Sequence, residues 1–147
     1  MGDDARVYFD TGALAKWYLT EPASIDVERF IQERAPVEIS TLTVVEMRCL
    51  LGRRRRMGEI DGSHEMRVFS TFEEDIRQGH LIRQPIDDAT TLAAAGLIST
   101  LPQHPLRSLD AIHLAIARDL GAGAIATADT TMSDAARAIG MEVLWFG

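Results

Sequence analysis

The stretch Val7-Tyr8-Phe9-Asp10-Thr11-Gly12-Ala13-Leu14 decides the fold predicted for this chain. Its first three residues are apolar and predict a short buried strand that ends at Asp10. Residues 13–19 then predict a helix, which Glu21-Pro22 closes. A strand followed at once by a helix is the repeating unit of a parallel sheet. The stretch therefore predicts an α/β protein with Asp10 at the carboxyl end of a strand.

The same alternation of strands and helices continues to the end of the chain. Further strands are predicted at residues 37–39, 81–83, 124–127 and 143–146. Further helices are predicted from a Ser24 cap to Pro36, over 43–56 and 63–78, from an Asp87 cap to Pro102, and over 108–121 and 133–139. No hairpin signal such as Asn-Gly joins two strands. We expect a three-layer α/β/α sandwich with a mostly parallel sheet of about five strands, in a single domain over residues 1–147.

The composition indicates a globular protein in a reducing compartment. Of the 147 residues, 46% are hydrophobic and 25% are charged, which is typical of one domain that folds without disulfides. Cys49 is the only cysteine, so an intrachain disulfide and a thiolate-rich zinc site are excluded. The acidic N-terminus over residues 1–6 has no apolar signal segment, and no apolar run is long enough to span a membrane. These features predict a soluble cytoplasmic protein.

The charge balance disfavours nonspecific binding of nucleic acid. The 22 acidic and 15 basic residues give a net charge of −7, and Lys16 is the only lysine. Such a chain binds a polyanion poorly unless a cation neutralises its acidic residues where they are concentrated. The one dense basic run is Arg53-Arg54-Arg55-Arg56. It is a candidate contact for an RNA backbone or an acidic partner, or else a solvated helix end that the helix dipole favours.

Four carboxylates are predicted to meet at one edge of the sheet. Asp10 and Asp129 follow predicted strands, and Glu46 and Asp110 lie near the starts of predicted helices. In a parallel α/β fold these positions share the edge at which ligands bind. Clustered carboxylates repel one another unless a hard divalent cation lies among them, which favours Mg²⁺ or Mn²⁺. Such a cation supplies the needs of phosphodiester hydrolysis, because it activates water and stabilises charge on a phosphoryl oxygen.

Each of these carboxylates also has a purely structural interpretation. Thr43-x-x-Glu46 matches a capping box, in which Glu46 accepts a hydrogen bond from a backbone N–H and does nothing more. Asp110 meets the dipole of its helix favourably, and Asp10 and Asp129 can each cap the helix that follows. Only the four together favour a metal site.

Two other side chains are expected to be structural. His113 follows Asp110 by three residues, but the histidines show no zinc spacing and a hard cation held by carboxylates needs no imidazole. A packed or capping role is therefore favoured for His113. Trp17 is expected in the core or at an interface, where a second copy of the chain or a partner protein is the candidate contact.

Four segments resemble the PIN-domain ribonucleases, and among them the VapC-type toxins. The first is the stretch quoted at the outset, and the others are Ser40-Thr41-Leu42-Thr43-Val44-Val45-Glu46, Leu109-Asp110-Ala111-Ile112-His113-Leu114-Ala115 and Ala126-Thr127-Ala128-Asp129. The resemblance covers nearly the whole chain, and the order of the segments, their spacing and the total length all match.

The resemblance implies a PIN-like fold and a metal-dependent endoribonuclease. Its acidic site would comprise Asp10, Glu46, Asp110 and Asp129, with Mg²⁺ or Mn²⁺ as the cofactor. Thr11 and Thr127 match the family's small hydroxyl positions, where they can orient a carboxylate, a water or a phosphate. A cognate VapB-type antitoxin would neutralise the enzyme, and a homodimer is expected from the resemblance alone.

Three rival functions are weighed against the nuclease. A receiver-type signalling domain also binds Mg²⁺ at strand ends, but that family uses a lysine after a late strand, whereas Lys16 lies in the first predicted helix. A haloacid-dehalogenase-type phosphatase needs an Asp two residues after its nucleophile, where this chain has Gly12. A non-catalytic RNA- or protein-binding module with the same fold is the alternative that stays open.

Overall fold

Strands and helices alternate along the whole part of the chain that the computed structural model describes, residues 5–147. The strands are β1 Val7–Phe9, β2 Val37–Ser40, β3 Leu81–Gln84, β4 Ala124–Thr127 and β5 Glu142–Trp145. The helices are α1 Thr11–Tyr18, α2 Ser24–Arg34, α3 Thr41–Arg56, α4 Gly62–Arg77, α5 Asp88–Thr100, α6 Ser108–Leu120 and α7 Thr130–Ala138. Residues 1–4, on which the expectation of no signal segment partly rests, lie outside the described residues.

The five strands form one sheet in the order β3-β2-β1-β4-β5, and every neighbouring pair is parallel. In the register, Tyr8 of β1 stands opposite Glu38 of β2 on one side and Ile125 of β4 on the other. β1 is therefore the central strand. The predicted α/β sandwich with a parallel sheet is confirmed.

A hydrophobic core lies on each face of the sheet, because successive side chains of a strand point to opposite faces. Val7 and Phe9 enter the core that α1 to α4 cover, while Tyr8 enters the core that α5 to α7 cover. Since β1 is buried on both faces, it reads as an unbroken apolar run rather than as an alternating one. Among the described residues, no helix is long and apolar enough to cross a membrane.

Three helices begin two or three residues earlier than the sequence predicts, because their caps follow the strands directly. α1 begins at Thr11 rather than residue 13, α3 at Thr41 rather than residue 43, and α7 at Thr130 rather than residue 133. Asp10 and Asp129 occupy the N-cap positions of α1 and α7. The predicted boundaries were wrong where a polar residue both ends a strand and starts a helix.

The predicted cap of α2 is also wrong. Ala23, in a left-handed conformation with φ 70°, holds the N-cap position and makes no side-chain cap bond. The Ser24 hydroxyl instead donates to the Leu19 carbonyl at 2.9 Å and accepts from the Glu21 N–H at 2.9 Å. It thereby stabilises the turn between α1 and α2 rather than the first turn of α2.

Candidate active site

The carboxyl ends of the central strands open into a cavity of about 360 Å³. The residues that line it are Asp10, Thr11, Gly12, Lys16, Glu21, Glu46, Asp110, His113, Ala128 and Asp129. All four predicted carboxylates and Thr11 are therefore brought together around one cavity. Thr127, the remaining predicted residue of the site, is fully buried at the end of β4 and bonds to two of the carboxylate residues.

Asp10 is held at the bottom of this cavity by both of its carboxylate oxygens. It is 7% exposed, Oδ1 accepts from the Ala13 N–H at 2.8 Å, and Oδ2 accepts from the Thr127 hydroxyl. Burial raises the pKa of Asp10 and the charge of Asp129 adds to this, against the hydrogen bonds from Thr127 and Ala13 and the charge of His113. The predicted capping role is real, but it uses only one oxygen of a carboxylate that also faces the cavity.

Thr127 links Asp10 to Asp129. Its hydroxyl donates to Asp10 and accepts from the Asp129 N–H at 3.0 Å. The Asp129 side chain caps α7 by accepting from the Met132 N–H at 3.0 Å through Oδ1. Because one hydroxyl serves both residues, the ends of β1 and β4 are fixed relative to each other.

Glu46 projects from α3 into the same cavity and is not part of a capping box. The capping box of α3 is formed by Ser40 and Thr43, since α3 begins at Thr41, two residues before the predicted start. Glu46 Oε1 instead accepts from the Thr11 hydroxyl at 2.7 Å and contacts His113 Nε2. Partial burial raises the pKa of Glu46, but the His113 hydrogen bond and charge together with the Thr11 bond outweigh it, so the net pKa is lowered.

Asp110 enters the cavity from the first turn of α6. Its burial and the neighbouring charge of Asp129 raise its pKa, against a backbone hydrogen bond from Arg107 and the charges of His113 and Arg107. The helix-dipole interpretation holds for its position, but the carboxylate also repels a second carboxylate across the cavity. Repulsion of this kind is relieved by a cation.

Three further lining residues were not singled out as site residues from the sequence. His113 is 2% exposed and packed as expected, but its ring also bonds to Glu46. Lys16 and Glu21 reach the cavity from α1 and from the turn after it. The Lys16 ammonium donates to the Pro22 carbonyl at 2.8 Å, and Glu21 pairs with Arg54 at 2.6 Å. The solitary lysine was the one signal in the sequence that could have pointed here.

The donor set fits a hard divalent cation by its chemistry. The lining side chains with oxygen donors are mostly carboxylates, and Lys16 is the one lysine or arginine among the described lining residues. As the side chains stand, however, no three His, Cys, Asp or Glu residues of the described chain are close enough together to hold a metal ion. The four carboxylates therefore surround the cavity without converging on one point.

Comparison with known proteins gives a consistent result. The sequence-family model of the PIN domain matches residues 7–138. Ribonuclease VapC46 of Mycobacterium tuberculosis is 34% identical over 143 residues, which are 95% of this chain and 97% of that protein.

Solved structures share the fold at low sequence identity. VapC20 of Mycobacterium tuberculosis, a toxin that cleaves the sarcin–ricin loop, superposes with a TM-score of 0.70 at 17% identity over 92% of this chain and 95% of its own. FitAB bound to an IR36 DNA fragment gives a TM-score of 0.67 at 20% identity over 94% of this chain and 93% of its own. The structure of FitAcB from Neisseria gonorrhoeae gives a TM-score of 0.64 at 18% identity over 94% of this chain and 96% of its own.

Proposed function

The chain belongs to the PIN-domain family, and we propose that it is a VapC-type endoribonuclease that needs Mg²⁺ or Mn²⁺ and is neutralised by a cognate antitoxin. One observation carries this proposal. Asp10, Glu46, Asp110 and Asp129, which are far apart in the sequence, line a single cavity at the carboxyl edge of the sheet. Ligand sites of open α/β sheets lie at this edge.

The same four carboxylates would hold the cation. Burial and mutual repulsion already raise the pKa of Asp10 and Asp110, so a positive charge among them would lower the free energy of the ionised site. The carboxylates would have to rotate toward the cation, since they do not converge as they stand. When bound, the cation supplies Lewis-acid chemistry, which activates water and stabilises charge on the phosphoryl group.

The chain's own residues would orient the reacting groups. Thr127 fixes Asp10 and Asp129 relative to each other, and Thr11 holds one oxygen of Glu46. A carboxylate of the set would accept a proton from the attacking water. Water attack on phosphorus with cleavage of the bond to the 3′ oxygen leaves a 3′-hydroxyl and a 5′-phosphate.

RNA and an antitoxin are the partners that we propose, with a homodimer as the assembly and the cytoplasm as the place of action. The arginine run offers unequal surfaces to them. Arg54 is half-buried and pairs with Glu21 at 2.6 Å and Glu59 at 2.9 Å, whereas Arg53, Arg55 and Arg56 are exposed, with Arg55 lying 3.9 Å from Glu65. We assign contact with the RNA backbone or the antitoxin to these three exposed arginines.

The test is cleavage of total cellular RNA by the purified, antitoxin-free chain, with Mn²⁺, with Mg²⁺ and with EDTA, followed by mapping of the 5′ ends. We expect discrete cuts that need metal and disappear in Asp10→Asn, whose amide oxygen can still accept the hydrogen bond that caps α1. The matched control is Asp61→Asn, because Asp61 caps α4 in the same manner outside the cavity. Equal cutting by Asp10→Asn and wild type would refute the assignment of the site.

A second candidate is a non-catalytic RNA- or protein-binding module with the same fold. It is favoured by the finding that no three potential ligands of the described chain are within reach of one ion. This candidate predicts that the folded chain retains RNA or a partner protein but cuts nothing with either metal. Cutting that needs metal excludes it.

A further inference from the structure

We propose that His113 is a positioning residue, which together with Tyr8 behind it locks the Glu46 carboxylate so that one oxygen stays available to the cavity. The inference rests on the proposed function, because it gives a role to Glu46 in binding the cation. It concerns a network of hydrogen bonds that joins Glu46 to His113, His113 to Tyr8 and Tyr8 to Ser40.

This network joins side chains that are distant in the sequence, and behind Glu46 its members are almost completely buried. His113 Nδ1 lies 2.7 Å from the Tyr8 hydroxyl, and that hydroxyl lies 2.9 Å from Ser40 Oγ. Tyr8 and Ser40 are 0% exposed and His113 is 2% exposed. Buried polar groups in such a network have no water to replace a lost partner, so the geometry is strongly specified.

The protonation of the imidazole follows from its partners. A carboxylate can only accept, so His113 Nε2 must carry the proton that it shares with Glu46. Nδ1 and the Tyr8 hydroxyl share a second hydrogen bond at 2.7 Å, so both nitrogens of the ring are held in place. Burial raises the pKa of Tyr8 far above its usual range, so this hydroxyl keeps its proton.

Both donors to Glu46 act on the same oxygen. Thr11, at the start of α1, and His113, on α6, each bond to Oε1, and no described residue bonds to Oε2. Two donors from different helices hold the carboxylate plane and leave Oε2 as the oxygen free for a cation. Because α6 also carries Asp110 one turn before His113, a single helix sets the positions of two of the four carboxylates.

The test measures Mn²⁺ binding to the metal-free protein by titration calorimetry, a readout that needs no catalysis. His113→Leu removes the donor, and we expect the Mn²⁺ affinity to fall by about 10–100-fold, as for loss of a group that orients a metal ligand. His113→Gln places an amide N–H near the position of Nε2 and should recover most of the affinity. Ile116→Val is the matched control, since Ile116 is 4% exposed on the same helix and does not line the cavity.

A double-mutant cycle separates positioning from a merely structural role. In a Glu46→Gln background, His113→Leu should cause no further loss of Mn²⁺ affinity, because its effect acts through Glu46. The same fold-loss in both backgrounds would overturn the inference. Where His113→Leu does not fold, Tyr8→Phe carries the test, since it removes only the hydroxyl and should lower the affinity less than His113→Leu does. Wild-type affinity in Tyr8→Phe would then overturn the inference.

The outcomes also separate this inference from the proposed function. Wild-type protein that binds no Mn²⁺ and cuts no RNA overturns the proposed function, and with it the role of His113. Wild-type protein that binds Mn²⁺ and cuts RNA, beside a His113→Leu variant that binds Mn²⁺ equally well, overturns only the role of His113.

Discussion

Aspartates cap the first turns of four helices. Two of these aspartates line the cavity, and two lie outside it. Asp10 and Asp129 accept from the N–H three residues ahead at 2.8 and 3.0 Å. Asp61 and Asp87 do the same at 2.7 and 2.8 Å, away from the cavity. The local motif is identical in all four, so it cannot by itself distinguish a functional aspartate from a structural one.

The surroundings of two of these aspartates shift the pKa of the side-chain carboxyl group in opposite directions. The hydrogen bond from the Thr90 backbone N–H lowers the pKa of the exposed Asp87. Burial raises the pKa of Asp10, although it receives the same kind of backbone bond. The difference arises because Asp10 follows the central strand and faces other carboxylates, whereas Asp87 follows the edge strand β3. Position in the sheet, rather than the capping motif, therefore distinguishes the two aspartates that line the cavity.

The largest expected effect is on RNA cleavage. Asp129→Asn should lower the rate of metal-dependent cutting by at least about 100-fold, since a direct ligand should matter at least as much as the groups that orient it. Asp87→Asn should cut at the wild-type rate, because Asn caps a helix as well as Asp does. The measurement is the initial rate on a defined RNA in Mn²⁺. Equal rates for the two variants would erase the distinction between the two pairs of caps.

Stabilisation by Mn²⁺ should also distinguish the aspartates that line the cavity from those outside it, with a smaller effect. With Mn²⁺ at about 100 times its Kd, the free energy of unfolding of wild type should rise by about 2.7 kcal/mol, and EDTA should reverse the gain. Asp61→Asn should keep this gain and Asp10→Asn should lose most of it. Urea unfolding with and without Mn²⁺ measures both. A gain of the same size in Asp10→Asn would show that the cation binds elsewhere.

Two buried threonines sharpen the comparison further. Thr127 bonds to Asp10 in the cavity, and Thr90 bonds to Asp119 at 2.9 Å outside it. Each Thr→Val change should lower the free energy of unfolding by about 0.5–1.5 kcal/mol. Only Thr127→Val should also slow cleavage, by about 10-fold, because it frees Asp10 and Asp129 from each other. Similar cleavage rates in the two variants would assign Thr127 to the scaffold.

The smallest expected effect is a pH dependence at Asp87. Because its pKa is lowered on folding, the ionised side chain stabilises the protein above the unfolded pKa of about 3.9, and this contribution disappears as the pH falls through the folded pKa. Asp87→Asn lacks the contribution at every pH. Urea unfolding of metal-free wild type and variant from about pH 6 to about pH 2.5 should show their difference shrinking. A difference that grows with acidity would mean that the pKa is raised instead.

The sequence was informative where local chemistry decides the structure. Apolar triplets before Asp10 and Asp129 marked the strand ends, and Asp87 was identified as a cap from its position before an apolar helix. The capping-box interpretation of Glu46 was wrong, because Ser40 and Thr43 are both good caps and form the box themselves. Only the end of β2, whose register pairs Ser40 with Gln84, decides that the helix begins at Thr41.

The hydrogen-bond partners of His113 could not be predicted from the local sequence. Its two partners, Tyr8 and Glu46, are 105 and 67 residues away in the sequence. Lys16 and Glu21 escaped notice likewise, because they reach the cavity through the fold of α1 and its following turn. A packed or capping role was expected for His113 because the histidines show no zinc spacing, and the ring is indeed packed, but its hydrogen-bond partners are set by the tertiary structure.

The pairing of β1 with β4 has a consequence for biosynthesis. The Thr127 bond to Asp10 spans 117 residues, and the Asp10 N–H donates to the Ala126 carbonyl at 3.0 Å. A nascent chain that has not yet extended through β4 lacks the bonds from Thr127 and Ala126 that hold Asp10, and it lacks Asp129 altogether. Fragments released early from the ribosome, or cut by a protease before β4, therefore carry no assembled site. Activity would therefore begin only after synthesis has passed β4 and Asp129.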